Sequence, residues 1–134
     1  MFNQVRGGLA RLPADVGLLI LRVGFAGIML VQHGLPKLMG YETMMNTFPD
    51  PLGISSPLSY ILAVFAEFFC SALVIVGYQT RLATIPLIST MVVAGFIVHA
   101  SDPFAKKELA IEYLVAFLAI LFTGPGRHAF NANS

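Results

Sequence analysis

Six ionisable side chains lie in or against long apolar stretches of this chain: Arg22, His33, Lys37, Glu67, His99 and Glu112. Such groups are expensive in an apolar medium unless they are paired, so they are functional candidates by default. Two carboxylates, two imidazoles and two cations nearly neutralise one another. Imidazoles exchange protons near neutral pH. Carboxylates carry protons as general acids or bases. Cations hold a neighbouring carboxylate charged or bind an anionic substrate. Spacing points the same way. Arg22 and His33 are eleven residues apart, which on a helix returns to within about 20° of one face. Lys37 falls about 60° round from Arg22, so one helix presents a polar stripe that must face inward.

The elements that position these groups follow from composition. Of 134 residues, 57% are hydrophobic and 11% charged, against roughly 25% charged in soluble proteins. A small soluble domain cannot cover its surface with so few charges, so lipid must be the solvent. Spanning a bilayer takes about 20 apolar residues, and four segments qualify: about 15–34, 57–77, 80–99 and 106–123. Pro13 and Ser56-Pro57 mark helix starts, Gly77 and Gly124-Pro125-Gly126 mark stops, and Pro86 predicts a bend in the third helix. None of the four shows the two-residue alternation of a barrel strand. The expected fold is all-α, an integral membrane bundle of four transmembrane helices in a single domain, 1–134, with a long Pro- and Gly-containing loop at 35–56. The first apolar stretch carries Arg22 at its centre and lacks an A-x-A site, so it reads as a retained helix rather than a signal peptide.

Basic residues near helix ends set orientation. Arg6, Arg11, Arg81 and Arg127 share one side, and Lys37, Lys106 and Lys107 the other, which favours both termini in the cytoplasm. His33, Lys37, His99 and Glu112 are then expected together in the outer third, with Glu67 below them and Arg22 deeper. Simpler readings stand beside this one. Arg22 can snorkel to the inner interface, and buried polar groups can merely tie helices together. Glu67 is too short to snorkel. Arg81 and Arg127 read as interfacial anchors. His33, His99, Glu67 and Glu112 are chemically suited to a metal but lack a local His-x-x-x-His spacing, and no metal site is assigned. The methionines and the lone Cys70 read as packing residues. A net charge of +1 offers nothing to nucleic acid.

Leu21-Arg22, His33-Gly34-x-x-Lys37-Leu38, Ala66-Glu67, Gly77-Tyr78-x-Thr80-Arg81, His99, Glu112 and Gly124-Pro125-Gly126-Arg127, in this order and spacing, resemble the DoxX family over about Asp15 to Phe130. Phe68-Phe69-Cys70 departs from the small, glycine-rich residues expected after Glu67. The resemblance implies a bacterial or archaeal inner-membrane protein near the quinone pool, with Arg22, His33, Lys37, Glu67, Arg81, His99 and Glu112 at the family's recurrent polar positions. The expected function is then a redox-associated membrane subunit binding a quinone or small molecule in its polar cavity. The chain has no nucleotide fingerprint and too few cysteines for a cluster, so no covalently bound cofactor is expected, and electrons must come from a redox partner protein or the substrate. Two rivals remain: a non-catalytic scaffold, and a solute or proton-coupled carrier, for which four helices without an inverted repeat require a homo-oligomer.

Overall fold

Proline, glycine and one polar cap divide the apolar sequence into rods. The computed structural model describes residues 2–10 and 12–134; Arg11, counted above among the basic residues that set orientation, lies outside them. A short helix, α1 (Phe2–Ala10), precedes the bundle. The first long helix, α2 (Ala14–Met39, 26 residues), starts after Pro13 with Asp15 in its first turn. A single turn, α3 (Tyr41–Met44), follows. The second long helix, α4 (Ser56–Val76, 21 residues), is capped by Ser55, whose hydroxyl accepts from Leu58 N at 3.2 Å. It ends at Gly77, whose left-handed φ of 81° is open to a residue without Cβ. The third, α5 (Thr80–Val98, 19 residues), contains Pro86. The fourth, α6 (Phe104–Thr123, 20 residues), begins after Pro103 and stops at Gly124.

The described residues form helices, turns and irregular segments only. Three helices, α2, α4 and α5, are long and apolar enough to cross a membrane. α6 is long enough, but Lys106, Lys107, Glu108 and Glu112 crowd its first half. The first long helix outruns the expected end at Gly34 by more than a turn, and the connection expected at 35–56 shortens accordingly. Pro36 does not stop it; it lies inside the continuous helix, directly after the π turn Leu30–Gly34.

α2 packs on α4, α4 on α5, and α5 on α6 most extensively, with α6 returning to α2. Ala26, Met29, Val74, Leu87, Phe117 and Ile120 fill the centre. The crossing of α2 and α4 is a backbone contact: a Cβ on Gly34 would fall 2.6 Å from the Glu67 carbonyl carbon and 2.8 Å from Phe68 Cα. Three helices widen into π turns, at Leu30–Gly34, Phe65–Cys70 and Ala94–Val98. Such turns insert a residue into a helix and frequently mark functional sites. Here one holds His33, one holds Glu67, and the third leads directly into His99.

Residues 124–134 double back beneath the opposite end of the bundle. Phe130 N donates to Val76 O at 3.0 Å, Asn131 N to Gly77 O at 2.9 Å, and Arg81 N to Ser134 O at 3.1 Å. The hydroxyls of Ser134 and Thr80 meet at 2.9 Å. The first two bonds occupy carbonyls that the end of α4 leaves without helical partners, and the third occupies an N–H in the first turn of α5.

Candidate functional site

A cavity of about 600 Å³ lies at the end of the bundle away from the tail, lined by all four long helices and by the loop before α4. Its walls are mostly apolar, from Met29, Leu62, Ala63, Phe65, Met91 and Val93 among others. Polar groups enter at a few places. Glu67, only 4% exposed, projects from the π turn of α4. Lys37, in the last turn of α2, meets it with Nζ 2.9 Å from Oε1. Tyr60 donates its hydroxyl to the Lys37 carbonyl, which ties the helix ends together around the pair. His33 stands edge-on to Tyr113, ring centroids 5.6 Å apart. Tyr113 in turn stacks on Phe117 at 6.0 Å, one helical turn on. Ser59, Ser89 and Thr90 add hydroxyls to the lining.

The roof is the loop over Phe48–Ile54. Phe48 packs edge-on against Tyr60 at 5.6 Å. Asp50 fastens the loop by accepting from Ile54 N, Ser55 N and Ser59 Oγ, each at 2.9 Å. That clamp holds Ser55 at a φ of 102°, a strained value for a residue with a Cβ. Desolvation works to raise the Asp50 pKa, but together these hydrogen bonds outweigh it and the carboxyl is held below its ordinary value. At the rim His99 lines the cavity and turns Nδ1 toward Asp102 Oδ2 at 2.8 Å. The hydrogen bond to His99 is the main reason the Asp102 carboxyl is also held below its ordinary range; Lys106 and Lys107 assist against desolvation. The cavity reaches the outer surface between α4 and α5, where its lining residues Leu62, Phe65 and Ser89 are exposed.

Of the six residues singled out in the sequence, His33, Lys37, Glu67 and His99 line this one cavity. Arg22 and Glu112 are placed elsewhere. Arg22 faces inward, as its shared stripe with His33 requires, but at the tail end of α2. Its guanidinium donates to Val74 O at 2.8 Å, Ile75 O at 2.5 Å and His128 O, and it is 1% exposed. Its Nε has no hydrogen-bond partner among the described residues. Glu112 was expected in the shared outer cluster. It lies instead on the exposed face of α6, because the neighbouring Tyr113 takes the inward position and one residue is about 100° of helix. Arg81 and Arg127 have exposed side chains. Arg81 Nε donates to Leu121 O at 3.1 Å, and the Arg127 backbone N–H donates to Asp15 Oδ1 at 3.0 Å.

Sequence reasoning missed Tyr60, Tyr113, Asp102 and the tail carbonyls. Tyr113 carries a signal in its aromatic partner Phe117 four residues on, and Asp102 in its spacing of three from His99. Tyr60 and the tail carbonyls carry none. Cys70 is buried in the core cluster. Among the described residues no three His, Cys, Asp or Glu side chains converge to hold a metal. The arrangement left is an apolar chamber with one ion pair, two imidazoles, the Lys106 side chain and several hydroxyls. It suits a flat or tailed molecule carrying a few hydrogen-bond acceptors.

No curated protein and no solved structure matches the chain. The DoxX family model matches it over residues 17–100, which spans α2, α4 and α5 together with Arg22, His33, Lys37, Glu67 and His99. With this match over more than half its length and three apolar helices fit to cross a bilayer, the chain belongs to the DoxX family of membrane proteins.

Proposed function

We propose that the chain is a single four-span domain of a bacterial or archaeal inner membrane, with both termini cytoplasmic, and that its cavity binds a quinone for a redox partner protein. The observation that carries this reading is the Lys37–Glu67 ion pair on the wall of an apolar chamber that reaches the surface between α4 and α5. In a bilayer that opening faces lipid. A quinone has a flat ring with two carbonyl acceptors and an apolar tail. The tail suits the gap between Leu62 and Ser89, and the ring suits the chamber beside His33 and Tyr113. The Lys37 ammonium, the His33 imidazole and the Tyr113 hydroxyl are the available donors to a ring oxygen. Glu67 holds the Lys37 side chain in place through their 2.9 Å ion pair. His99 and Asp102, at the rim, provide a path for protons between the chamber and the aqueous side. α6 crosses as the fourth span with Lys106 and Lys107 at the interface and Glu112 below them.

Native mass spectrometry with lipid extraction on the gently solubilised protein tests the reading, with Glu67→Gln in parallel. The expected result is a copurifying quinone that is lost from the variant. An empty wild-type protein, no quinone-dependent thermal protection, and a variant that is merely less stable would overturn it. A scaffold role is the second reading, favoured by the same ion pair: it also ties α2 to α4 across their backbone contact, a purely architectural task.

A further inference from the structure

Gln32 and Glu112 are both exposed on the outside of the bundle. Each immediately precedes a residue of the His33–Tyr113 ring pair, whose centroids are 5.6 Å apart, so the two stand at one height on adjoining helices. Glu112 is the ninth residue of α6, about 12 Å along it from the helix start. Where α6 crosses the bilayer as proposed above, lipid offers neither side chain a partner at that depth, and the two ion pairs among the described residues do not include Glu112. The surface around them is shaped for close approach. Gly17, Gly24 and Gly27 of α2 have no atom within 4 Å of where a Cβ would stand. Gly24 shares an exposed stripe with Val31 and lies about 80° round the helix from Gln32. On α6, Val115 (62% exposed) continues the face of Glu112.

We infer that this face of α2 and α6 is the contact between two copies of the chain, with Gln32 of each copy hydrogen-bonded to Glu112 of the other. A second copy fits better than an unrelated helix, because the face is complementary to itself. A two-fold axis along the membrane normal keeps every residue at its own height while exchanging sides. A donor and an acceptor at equal height are what such an axis needs, and a carboxamide pairs with a carboxyl whether that group is ionised or protonated. Small residues let the two α2 helices approach until backbone packing holds them, the usual basis of association in lipid. The α4–α5 side, where the cavity opens, stays free. The inference rests on the proposed crossing of α6 and not on what occupies that cavity.

The test is subunit counting by single-molecule photobleaching of the full chain in vesicles of phosphatidylethanolamine and phosphatidylglycerol, across protein densities. Wild type is expected to dimerise. Gln32→Leu and Glu112→Leu each remove both symmetric bonds and should weaken the dimer by about an order of magnitude. Mixing the two variants restores one bond, so the mixed dimer should be tighter than either variant dimer. A substitution acting only on the fold of its own copy cannot produce that recovery. Independently, Val31→Cys should cross-link under mild oxidation in the wild-type background, while Val76→Cys, exposed on α4, should not. Monomers at every density, dimers indifferent to both substitutions, cross-linking through Val76 alone, or Glu112 engaged by a different copurifying protein would each overturn the inference.

Discussion

The two ends of the bundle treat a buried cation in opposite ways. At the tail end, Arg22 is closed in by backbone carbonyls from α4 and from residue 128, and the chain folds over it. At the other end, Lys37 faces a carboxylate beside a chamber of about 600 Å³. Carbonyls belong to secondary structure and cannot take up a proton or leave. A side-chain pair on the wall of a cavity is not fixed by the backbone in that way. The difference teaches that an ionisable residue in a membrane helix signals function only when its partner is also able to respond. Arg22 uses its charge to hold α2, α4 and the tail together, whereas the ion pair at the Lys37 end borders a cavity, where a ligand is proposed to meet it.

The largest effect that would test this contrast is Arg22→Met. It removes the donor from three carbonyls, each worth roughly 1–3 kcal/mol when left buried and unsatisfied. The expected loss is on the order of 4 kcal/mol in thermal or denaturant unfolding, with protease cleavage of residues 124–134 accelerated and ligand retention in the folded fraction unchanged. Ligand loss with an intact tail would erase the contrast. Glu67→Gln comes next. Breaking a buried pair costs about 3 kcal/mol, because Lys37 is left without its counter-charge. The double change Glu67→Leu with Lys37→Met should recover most of that stability while abolishing quinone retention in lipid extracts, which separates architecture from binding. If the double variant still retains the ligand, the pair is only a brace.

Gly34→Ala sharpens the same point more gently. The added methyl meets the Glu67 and Phe68 backbone and should force α2 and α4 apart at a cost of about 2 kcal/mol. A methyl placed instead at Gly24, where no neighbour lies within 4 Å, should leave monomer unfolding unaffected.

The smallest effect concerns the loop and rim carboxyls. Asp50 and Asp102 are both held below their ordinary value of 3.8. A depressed carboxyl favours the folded loop fully above that ordinary value and loses this contribution as pH falls through the lower, folded one. Hydrogen exchange at Ile54 and Ser55 should therefore stay slow at neutral pH and quicken only below about pH 4. Asp50→Asn should give fast exchange at all pH values while leaving the transmembrane helices protected. Slow exchange persisting to pH 2 would show that the loop is held by something else.

Much of this was legible beforehand, and the parts that were not share a physical cause. Helix starts and stops follow from Pro13, Ser56-Pro57, Gly77 and Gly124, whose backbone preferences act locally, although the cap of α4 is Ser55 and not Ser56. Glu67 and Lys37 announce themselves because apolar segments rarely carry them. The inward or outward sense of Glu112 is not local. In lipid both faces of a helix are apolar, so periodicity cannot separate core from surface as it does in water. A single step of about 100° then decides between Tyr113 and Glu112. The π turns escape for a related reason: they depend on how neighbouring helices pack at Gly34 and Glu67, and each shifts by one residue the face of everything beyond it. Arg22 reaches His128 across most of the chain length, a contact that nothing near either residue encodes.

That last contact constrains how the protein can be assembled. Helices are made in order, so Arg22 is synthesised well before the carbonyls of Val74 and Ile75 and long before that of His128. Until those segments emerge, the first helix carries an unanswered charge that resists burial in hydrocarbon. The order of synthesis thus makes the tail the last component of a lock whose first component has been waiting since α2 was made. A chain cut before residue 128 is therefore expected to bury that helix less stably.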